Sequence, residues 1–320
     1  MRIAVLGAGA IGRLFGVYLI RAGHQVSLVD PVAEVVEAIN ERGIGFLPEG
    51  ASNQDEVTMV EAHAVLDAAE IRKVDFSLLA VKSQDTLAAV QGAAHLISEK
   101  HPIITLQTGL GNVEIMERVV PARAIIGGFT FMAATALGAT MIRQGGAGKT
   151  YLGEIQGGMS SRVREIASLF SGAGLPATPV HRIVGRLWCK VIVYSAINAL
   201  SAVLRVTNGE LIRSVESITL MKQMVDEGQA VARSHSVDLV FHDLYGLLFD
   251  ACRKTENNIS SMLQDILGGQ VTEIDAQCGA LVRYGRKAGV PTPTQETMLH
   301  LVGAAQRHAM QEREGEVAYE

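Results

Sequence analysis

The sequence from Arg2 to Asp30, RIAVLGAGAIGRLFGVYLIRAGHQVSLVD, decides the fold of this chain. It opens with a short apolar run typical of a buried β-strand, and the GxGxxG turn Gly7–Gly12 follows directly. Apolar residues then recur at helical spacing until Gly23, which is well suited to end a helix. Gln25–Val29 is a second predicted strand. This order of strand, glycine turn, helix and strand predicts a dinucleotide-binding unit.

Each glycine of the turn has its own task in such a unit. Gly7 permits the tight turn, Gly9 lets the backbone approach a pyrophosphate, and Gly12 lets the helix pack close to the strand. The anion then lies on the free N–H groups and the positive dipole end of the helix. The residues predicted to bind it are Gly7, Ala8, Gly9, Ala10, Ile11 and Gly12. The alternative is a structural turn that binds no ligand.

Asp30 follows the second strand, at roughly the 20-residue distance from the turn where dinucleotide-binding units carry an acidic residue. A carboxylate there accepts hydrogen bonds from the adenosine ribose and repels the 2′-phosphate of NADP. The next residues, Pro31–Glu34, supply no arginine to hold such a phosphate. NAD(H) is therefore favoured over NADP(H). The alternative is that Asp30 only ends a strand or caps the next helix.

Further apolar runs predict the rest of a parallel sheet. Five strands are predicted at Phe76–Val81, Ile103–Gln107, Ala124–Gly128, Lys149–Ile155 and Ala177–Val180. Helical stretches lie between several of them, including Arg162–Leu169, and this alternation predicts an α/β, Rossmann-like doubly wound sheet. Gly45–Val60, rich in glycine, asparagine and acidic residues, is predicted to be an irregular excursion from the pattern.

The second part of the chain is predicted to be an all-helical C-terminal domain. From Arg182 to about Met310 the apolar residues follow helical periodicity, and no convincing strand is found. The predicted domains are a dinucleotide-binding Rossmann-like domain at residues 1–178 and a helical substrate or catalytic domain at residues 179–320. The tail Gln311–Glu320 holds four glutamates and is predicted to be a frayed, solvated end.

Composition excludes several classes of function. The 28 basic and 33 acidic residues give a net charge of −5, which argues against nucleic-acid binding, and 48% apolar residues argue against disorder. The apolar runs Ile3–Ile20 and Val191–Leu204 are interrupted by glycines or polar residues, so neither a membrane span nor a secretory signal is expected. The three cysteines form no CxxC pair and the nine histidines no HxxxH pair, so a reducing cytoplasm and no metal site are expected.

Three polar groupings stand out beyond the glycine turn. Lys82 and the segment Gln107–Asn112 follow predicted strands, at the ends where ligands of open α/β sheets gather. Lys190, Tyr194 and Asn198 lie four residues apart and so share one face of a helix. The alternatives are a surface lysine, a plain turn, and a helix whose lysine snorkels to water beside an ordinary core tyrosine. Asn257–Ser261 and Thr272–Asp275 place further polar groups in stretches predicted to be helical.

With these residues the chain resembles the ketopantoate reductase family (2-dehydropantoate 2-reductases). The motifs that carry the resemblance are Gly7–Gly12, Ala80-Val-Lys82, Gly109-Leu-Gly-Asn112, Leu187-Trp-Cys-Lys190 with Asn198, Asn258-Ile-Ser-Ser-Met-Leu-Gln-Asp265 and Thr272-Glu-Ile-Asp275. They span about residues 1–300. The resemblance implies a dinucleotide-binding N-terminal domain, a helical C-terminal domain, and hydride transfer to the keto carbon of a 2-oxo acid in the cleft between them.

Site residues follow from the same resemblance. Lys190 matches the lysine that acts as general acid toward the keto oxygen, and Glu273 matches the active-site glutamate of the family. The resemblance places Lys82 near both nicotinamide and substrate. Thr108 is also predicted to bind the cofactor, in addition to Asp30 and the residues of the glycine turn. The residues predicted to bind substrate are Lys82, Tyr194, Asn198, Asn208 and Ser261.

Three positions depart from the family pattern. Thr108 and Tyr194 stand where the family usually has asparagine, and Asp30 stands where its NADPH-preferring members carry a basic or neutral residue. By the resemblance, ketopantoate is the first candidate substrate. The alternatives are another 2-oxo or sugar-derived acid reduced with NAD(H), or a non-catalytic module that senses NAD(H). The expected partner is the small-molecule 2-oxo acid, without nucleic acid or membrane, and the number of subunits stays open with a homodimer among the options.

Overall fold

The computed structural model describes residues 1–51 and 56–317, and the chain divides into two compact units. The first consists of Met1–Gln107 with Asn112–Ile183, and the second of Thr108–Gly111 with the chain from Val184 onward. Compared with the predicted boundary after residue 178, this division keeps residues 179–183 in the first unit. It also assigns Thr108–Gly111, a short segment that interrupts the sequence of the first unit, to the second unit.

Two sheets lie in the first unit. The strands are β1 (Arg2–Leu6), β2 (Gln25–Val29), β3 (Ile44–Leu47), β4 (Thr58–Val60), β5 (His63–Val65), β6 (Phe76–Leu79), β7 (Ile103–Thr105), β8 (Ile125–Thr130), β9 (Ala133–Ala136), β10 (Met141–Gly146), β11 (Thr150–Glu154) and β12 (Ala177–Pro179). The larger sheet has eight strands in the order β12-β11-β8-β7-β6-β1-β2-β5. Within it every neighbouring pair is parallel except β8 and β11. The prediction of a doubly wound α/β sheet is confirmed.

The order of the larger sheet reverses between β1 and β6. The chain passes from β1 to its neighbour β2 on one side and later returns to β6 on the other side. Ligands of open α/β sheets bind beyond the carboxyl ends of the strands at such a reversal. Alternate residues of β1 enter two different buried clusters, Ile3 with Leu78 on one face and Ala4 with Leu79 on the other. Both faces are thus covered, as parallel sheets require.

Helices of the first unit cover this sheet and carry the connections. They are α1 (Ala10–Arg21), α2 (Ala33–Arg42), α3 (Thr86–Ala93), α4 (Asn112–Met116) and α5 (Ser161–Gly172). The helix predicted at Arg162–Leu169 is confirmed within α5, and the strands predicted on either side of it are β11 and β12.

The prediction of an irregular excursion at Gly45–Val60 is wrong at the two ends of the stretch, residues 45–47 and 58–60, whereas residues 48–51 between them form no strand or helix. β3 and β4 pair antiparallel there and join β9 and β10 in a four-stranded sheet of order β4-β3-β10-β9. Residues 52–55 of that stretch lie outside the described residues. A Cβ on Gly45 would approach Met141 Cγ to 3.0 Å, so this glycine lets β3 pack against β10. Gly45, one of the glycines on which that prediction rested, therefore serves a tight contact between strands.

The regular elements of the second unit are helical throughout its described part. They are α6 (Ile183–Leu204), which begins at the unit boundary, α7 (Val215–Ser234), α8 (Leu244–Lys254), α9 (Ser261–Leu267), α10 (Cys278–Ala288) and α11 (Pro293–Val317). α6 is long and apolar enough to cross a membrane, and 72% of its most apolar window is buried inside the structure. We therefore describe α6 as the central core helix of this unit.

Three local predictions in the second unit are corrected. Asn257–Ser260 precede α9, and only Ser261 is helical. Thr272 and Glu273 lie before a short 3-10 turn, Ile274–Ala276, and not within an amphipathic helix. The tail predicted to be frayed continues α11 as far as Val317, and residues 318–320 lie outside the described residues.

Candidate active site

The glycine turn has a distinct geometry at each glycine. Gly7 has φ +99°, a conformation that L side chains rarely adopt, and a Cβ there would lie 2.9 Å from Val81 N. A Cβ on Gly12 would lie 1.9 Å from Gly7 O, which explains the need for glycine in the first turn of α1. Gly9 is exposed and has nothing within 4 Å of its would-be Cβ. The turn is thus tight on its inner side and open at Gly9, where an anion can approach the helix N-terminus.

Asp30 is tied to the glycine turn. Its Oδ2 accepts a hydrogen bond from Ala8 N at 2.9 Å, and its Oδ1 accepts one from Val32 N at 3.1 Å. The carboxylate therefore lies beside the backbone that would hold a pyrophosphate, while it also shapes the start of α2. The bond from Val32 N fits the interpretation of Asp30 as a residue that ends a strand and shapes the next helix, and its role as ribose acceptor stays a prediction.

Arg13 is a charged residue of this region that sequence analysis missed. Its side chain is buried, with Nη1 donating to the carbonyl oxygens of Gly138 at 2.9 Å and Ala139 at 2.8 Å. Burial lowers the pKa of the Arg13 guanidinium, and the nearby charge of Asp30 opposes this shift. The cation ties α1 to the turn between β9 and β10. The only signal in the sequence is an arginine at a position where the helix is expected to be buried.

Lys82 lies beside the same turn. Parallel pairing brings the carboxyl ends of β1 and β6 to one edge of the sheet, and Val81 packs against Gly7 there. Lys82 follows directly, half-buried, as the residue before a 3-10 turn that begins at Ser83. The structure therefore brings together three of the predicted groups in the first unit: the glycine turn, Asp30 beside it, and Lys82 at the next strand end.

Lys190 is the central charged group of the second unit. It lies on α6, is buried, and donates a hydrogen bond from Nζ to Thr108 Oγ1 at 2.9 Å. Its Nζ also lies 5.6 Å from the centroid of the Tyr194 ring. The two positions that depart from the family's usual asparagines therefore both contact the ammonium group. Both departures therefore lie beside the lysine.

Burial lowers the pKa of Lys190 to about 7, and the charge of Glu273 acts in the opposite direction. An ammonium group with such a pKa gives up its proton far more readily near neutral pH than an exposed lysine. Burial also raises the pKa of Tyr194 to about 12, so the phenol stays neutral and acts as an uncharged neighbour. Lys190 is the group best suited to proton transfer here.

The segment Thr108–Gly111 is fixed near Glu273 by a backbone bond. Leu110 N donates to Ala276 O at 2.9 Å, in the 3-10 turn that directly follows Glu273. The segment and the glutamate thus approach Lys190 from two parts of the chain that are far apart in sequence. Asn198, two helical turns beyond Lys190, donates from Nδ2 to Gln277 Oε1 at 3.1 Å. Gln277 is a buried residue of the site region that sequence analysis missed.

Asn208 and Ser261 belong to a second grouping, around the loop before α9. Asn208 is buried, and its Nδ2 donates to Thr255 Oγ1 at 2.9 Å while its backbone N donates to Asn258 O at 2.9 Å. Among the described residues its Oδ1 has no hydrogen-bond partner. Ser261 is exposed, whereas its neighbour Ser260 is buried and accepts from Leu263 N as the N-cap of α9. The roles of Asn208 and Ser261 in substrate binding stay predictions.

Two family models match most of the chain. One, described as ketopantoate reductase PanE/ApbA, matches residues 3–157, and the other, described as ketopantoate reductase PanE/ApbA C terminal, matches residues 182–306. A 2-dehydropantoate 2-reductase of Halobacterium salinarum is 30% identical over 308 residues, which is 96% of this chain and 99% of that protein. One of Pyrococcus horikoshii is 33% identical over 305 residues, 95% of this chain and 97% of that protein.

A solved structure extends the comparison. A ternary complex of D-mandelate dehydrogenase with NADH and anilino(oxo)acetate aligns with a TM-score of 0.90 at 28% identity, covering 97% of this chain and 99% of that one. The likeness extends over both units.

Proposed function

Because this chain belongs to the ketopantoate reductase family, we propose that it reduces a 2-oxo acid to a 2-hydroxy acid with a reduced nicotinamide nucleotide, and that ketopantoate is the substrate and pantoate the product. The observation that carries the proposal is the buried Lys190 ammonium, whose pKa is about 7 and which lies within a motif matched to the family. The alternatives of a different acid or a non-catalytic module are not favoured by the relatives named 2-dehydropantoate 2-reductase.

The first unit fits a dinucleotide. Gly9 leaves room for a pyrophosphate at the N-terminus of α1, and the carboxylate of Asp30 lies beside Ala8 N, within the turn that would hold the pyrophosphate. Lys82 lies at the next strand end, where it would contact the nicotinamide and the substrate. When bound, the reduced nicotinamide supplies the hydride. Thr108 and the six residues of the turn complete the proposed cofactor contacts.

The second unit supplies the proton. As the keto oxygen becomes an alkoxide, Lys190 donates the proton from Nζ, and its positive charge stabilises the negative charge before that transfer. Glu273 favours the protonated form of the lysine, because its charge raises the pKa that burial has lowered. Thr108 accepts from Nζ and so fixes the direction of the remaining N–H groups. Tyr194, Asn198, Asn208 and Ser261 are the further proposed substrate contacts.

The setting of the reaction is part of the same proposal. Pantoate formation belongs to pantothenate biosynthesis, and we propose the cytoplasm as the compartment because it keeps thiols reduced. All three cysteines are buried as free thiols. We further propose that the protein forms a homodimer, which a measurement of its mass in solution tests.

The proposed function is tested by turnover of purified protein with NADH or NADPH and a panel of 2-oxo acids, followed by loss of reduced-nicotinamide absorbance. Ketopantoate should give the highest kcat/KM. An aryl 2-oxo acid tests the likeness to D-mandelate dehydrogenase. Turnover of the aryl acid without turnover of ketopantoate would exclude the proposed substrate, and nucleotide binding without turnover of any acid would indicate the non-catalytic module.

Asp30→Asn is expected to weaken the preference for NADH over NADPH. Asparagine keeps an oxygen acceptor for Ala8 N or Val32 N, so the turn is retained, while the charge that repels a 2′-phosphate is lost. The ratio of kcat/KM with NADH to kcat/KM with NADPH should fall by about 10-fold, equivalent to roughly 1.4 kcal/mol. Glu34→Gln removes an exposed charge in the first turn of α2 and should leave the ratio unchanged. Equal use of both nucleotides by the unmodified protein would contradict the role of Asp30.

A further inference from the structure

Five buried polar side chains form one hydrogen-bonded chain at the carboxyl ends of β6 and β7. Thr105 Oγ1 donates to Gln107 Oε1 at 3.0 Å, and Gln107 Nε2 donates to Thr86 Oγ1 at 2.8 Å. Thr86 Oγ1 in turn donates to Asn112 Oδ1 at 3.2 Å, and Asn112 Nδ2 donates to Ser83 Oγ at 3.1 Å. We call these five residues the amide–hydroxyl chain. All its members belong to the first unit.

The amide–hydroxyl chain lies beside two proposed site positions. Gln107 Nε2 also donates to Val81 O at 2.9 Å, so the bonds to Val81 and Ser83 hold both residues that flank Lys82. Gln107 directly precedes the segment 108–111 that carries Thr108, and Asn112 directly follows it. The same network therefore fixes the turn that carries Lys82 and includes the two residues that flank the segment 108–111 in sequence.

Burial makes this arrangement rigid. The five side chains are between 0% and 9% exposed and carry no charge. Both hydrogens of the Gln107 amide are used and its oxygen accepts from Thr105, so the side chain has one allowed orientation. Removing one member leaves buried partners unsatisfied, which costs about 1–3 kcal/mol for each group. A chain of donors pointing in one direction also gains from mutual polarisation.

We propose that Gln107 and Asn112 are positioning residues for reduction, which act by holding the turn that carries Lys82 in its working place. This inference rests on the proposed function. A displacement of about 1 Å at a reacting group can lower a rate on the order of 100-fold, so loss of this network affects turnover more than it affects folding. The amides would touch neither substrate nor cofactor.

Gln107→Met is the decisive variant, and Gln144→Met is its matched control. Gln144 is a glutamine of the same unit, 6% exposed, that accepts from Tyr18 Oη at 2.8 Å in the second sheet. Both changes remove a buried amide of equal size, but Gln107 makes three side-chain hydrogen bonds and Gln144 accepts one, so the thermal midpoint should fall further in Gln107→Met and kcat is compared well below both midpoints. We expect kcat for the 2-oxo acid to fall about 10- to 100-fold in Gln107→Met and less than about 2-fold in Gln144→Met.

A double-variant cycle separates positioning from general damage. If Gln107 acts through Lys82, the fold-loss of kcat/KM that Gln107→Met causes should be at least about 5-fold smaller in the Lys82→Met protein than in the unmodified protein.

Thr86→Val removes one hydroxyl and little volume, so it breaks the amide–hydroxyl chain at a second point should Gln107→Met fail to fold. The same loss of kcat is expected. Independent, multiplying effects of Gln107 and Lys82, or a loss equal to that of Gln144→Met, would overturn the inference. Absence of turnover in the unmodified protein would instead overturn the proposed function.

Discussion

Lys190→Met is expected to abolish reduction while it makes the protein more stable. Loss of the general acid should lower kcat by at least about 100-fold, and the dissociation constants of NADH and NADPH should stay within about 3-fold of the unmodified values. Methionine fills much of the same space without a charge. Since burial lowers the pKa of the ammonium, the folded protein binds this proton less readily than the unfolded chain, and removal of the charge should raise the free energy of unfolding near pH 7 by about 1–4 kcal/mol.

The dependence on pH gives this prediction a second readout. Reduction needs the protonated lysine, so kcat/KM of the unmodified protein should fall as the pH rises through about 7, and oxidation of the hydroxy acid should rise over the same range. In the unfolded chain the lysine titrates near 10.4, so between about pH 7 and 10 the unfolded state binds more protons and stability rises with pH. The stability advantage of Lys190→Met should therefore be greatest below pH 7 and disappear above about pH 10.

Lys222→Met is the control for the chemical change alone. Lys222 lies on α7 of the same unit, with Nζ 5.5 Å from the centroid of the Tyr245 ring, and it has no proposed part in the reaction. Turnover should be kept and stability should not rise. Steady-state kinetics, calorimetric titration with nucleotide and thermal unfolding at several pH values provide the measurements. Retained reduction in Lys190→Met, or a pH profile of reduction unchanged by it, would contradict the assignment of the proton donor.

Local patterns made the fold of the nucleotide-binding part predictable. The strand β1, the glycine turn, α1 and β2 follow each other directly, so each boundary carries its own signal in neighbouring residues. The second sheet lacked such a signal because β3 pairs in parallel with the distant β10, where Gly45 lies opposite Met141. Its strands have three to six residues and two of them, β3 and β10, contain glycine, so their composition alone gives a weak strand signal. The prediction of an irregular excursion followed the composition and missed this tertiary contact.

The family was recognised from its motifs, and two family models confirm it. Those motifs also identified Lys190 and Glu273 as candidates, but they could not say what surrounds the ammonium. The hydroxyl of Thr108 is 82 residues away from Lys190 in the chain and meets it only through the fold. Gln277, which accepts from Asn198, was missed for the same reason. Groups that act by long-range contact with a site residue leave no periodicity or spacing to detect.

Gly12→Ala is expected to destroy dinucleotide binding and to destabilise the first unit. Alanine is the better helix former by about 1 kcal/mol, so propensity alone predicts a gain. The added Cβ would lie 1.9 Å from Gly7 O, however, and that oxygen belongs to backbone that cannot move aside as a flexible side chain does. Gly7 N donates to Val29 O at 2.8 Å, so displacement of Gly7 disturbs the start of the turn and its link to β2. A net loss of about 1–3 kcal/mol and at least a 100-fold weaker binding of NADH should result.

Two further glycines separate the causes of that loss. Gly92 lies on α3, is exposed, and has nothing within 4 Å of a would-be Cβ, so Gly92→Ala should raise stability by about 0.5–1 kcal/mol without an effect on binding. Gly9 is equally open but faces the space proposed for the pyrophosphate. Gly9→Ala should therefore fold with unchanged thermal stability and still bind NADH at least about 10-fold more weakly. Normal NADH binding by Gly9→Ala would show that the pyrophosphate does not lie on this turn. A Gly12→Ala protein that is stable and binds nucleotide would show that the close approach of residue 12 to Gly7 O does not constrain the turn.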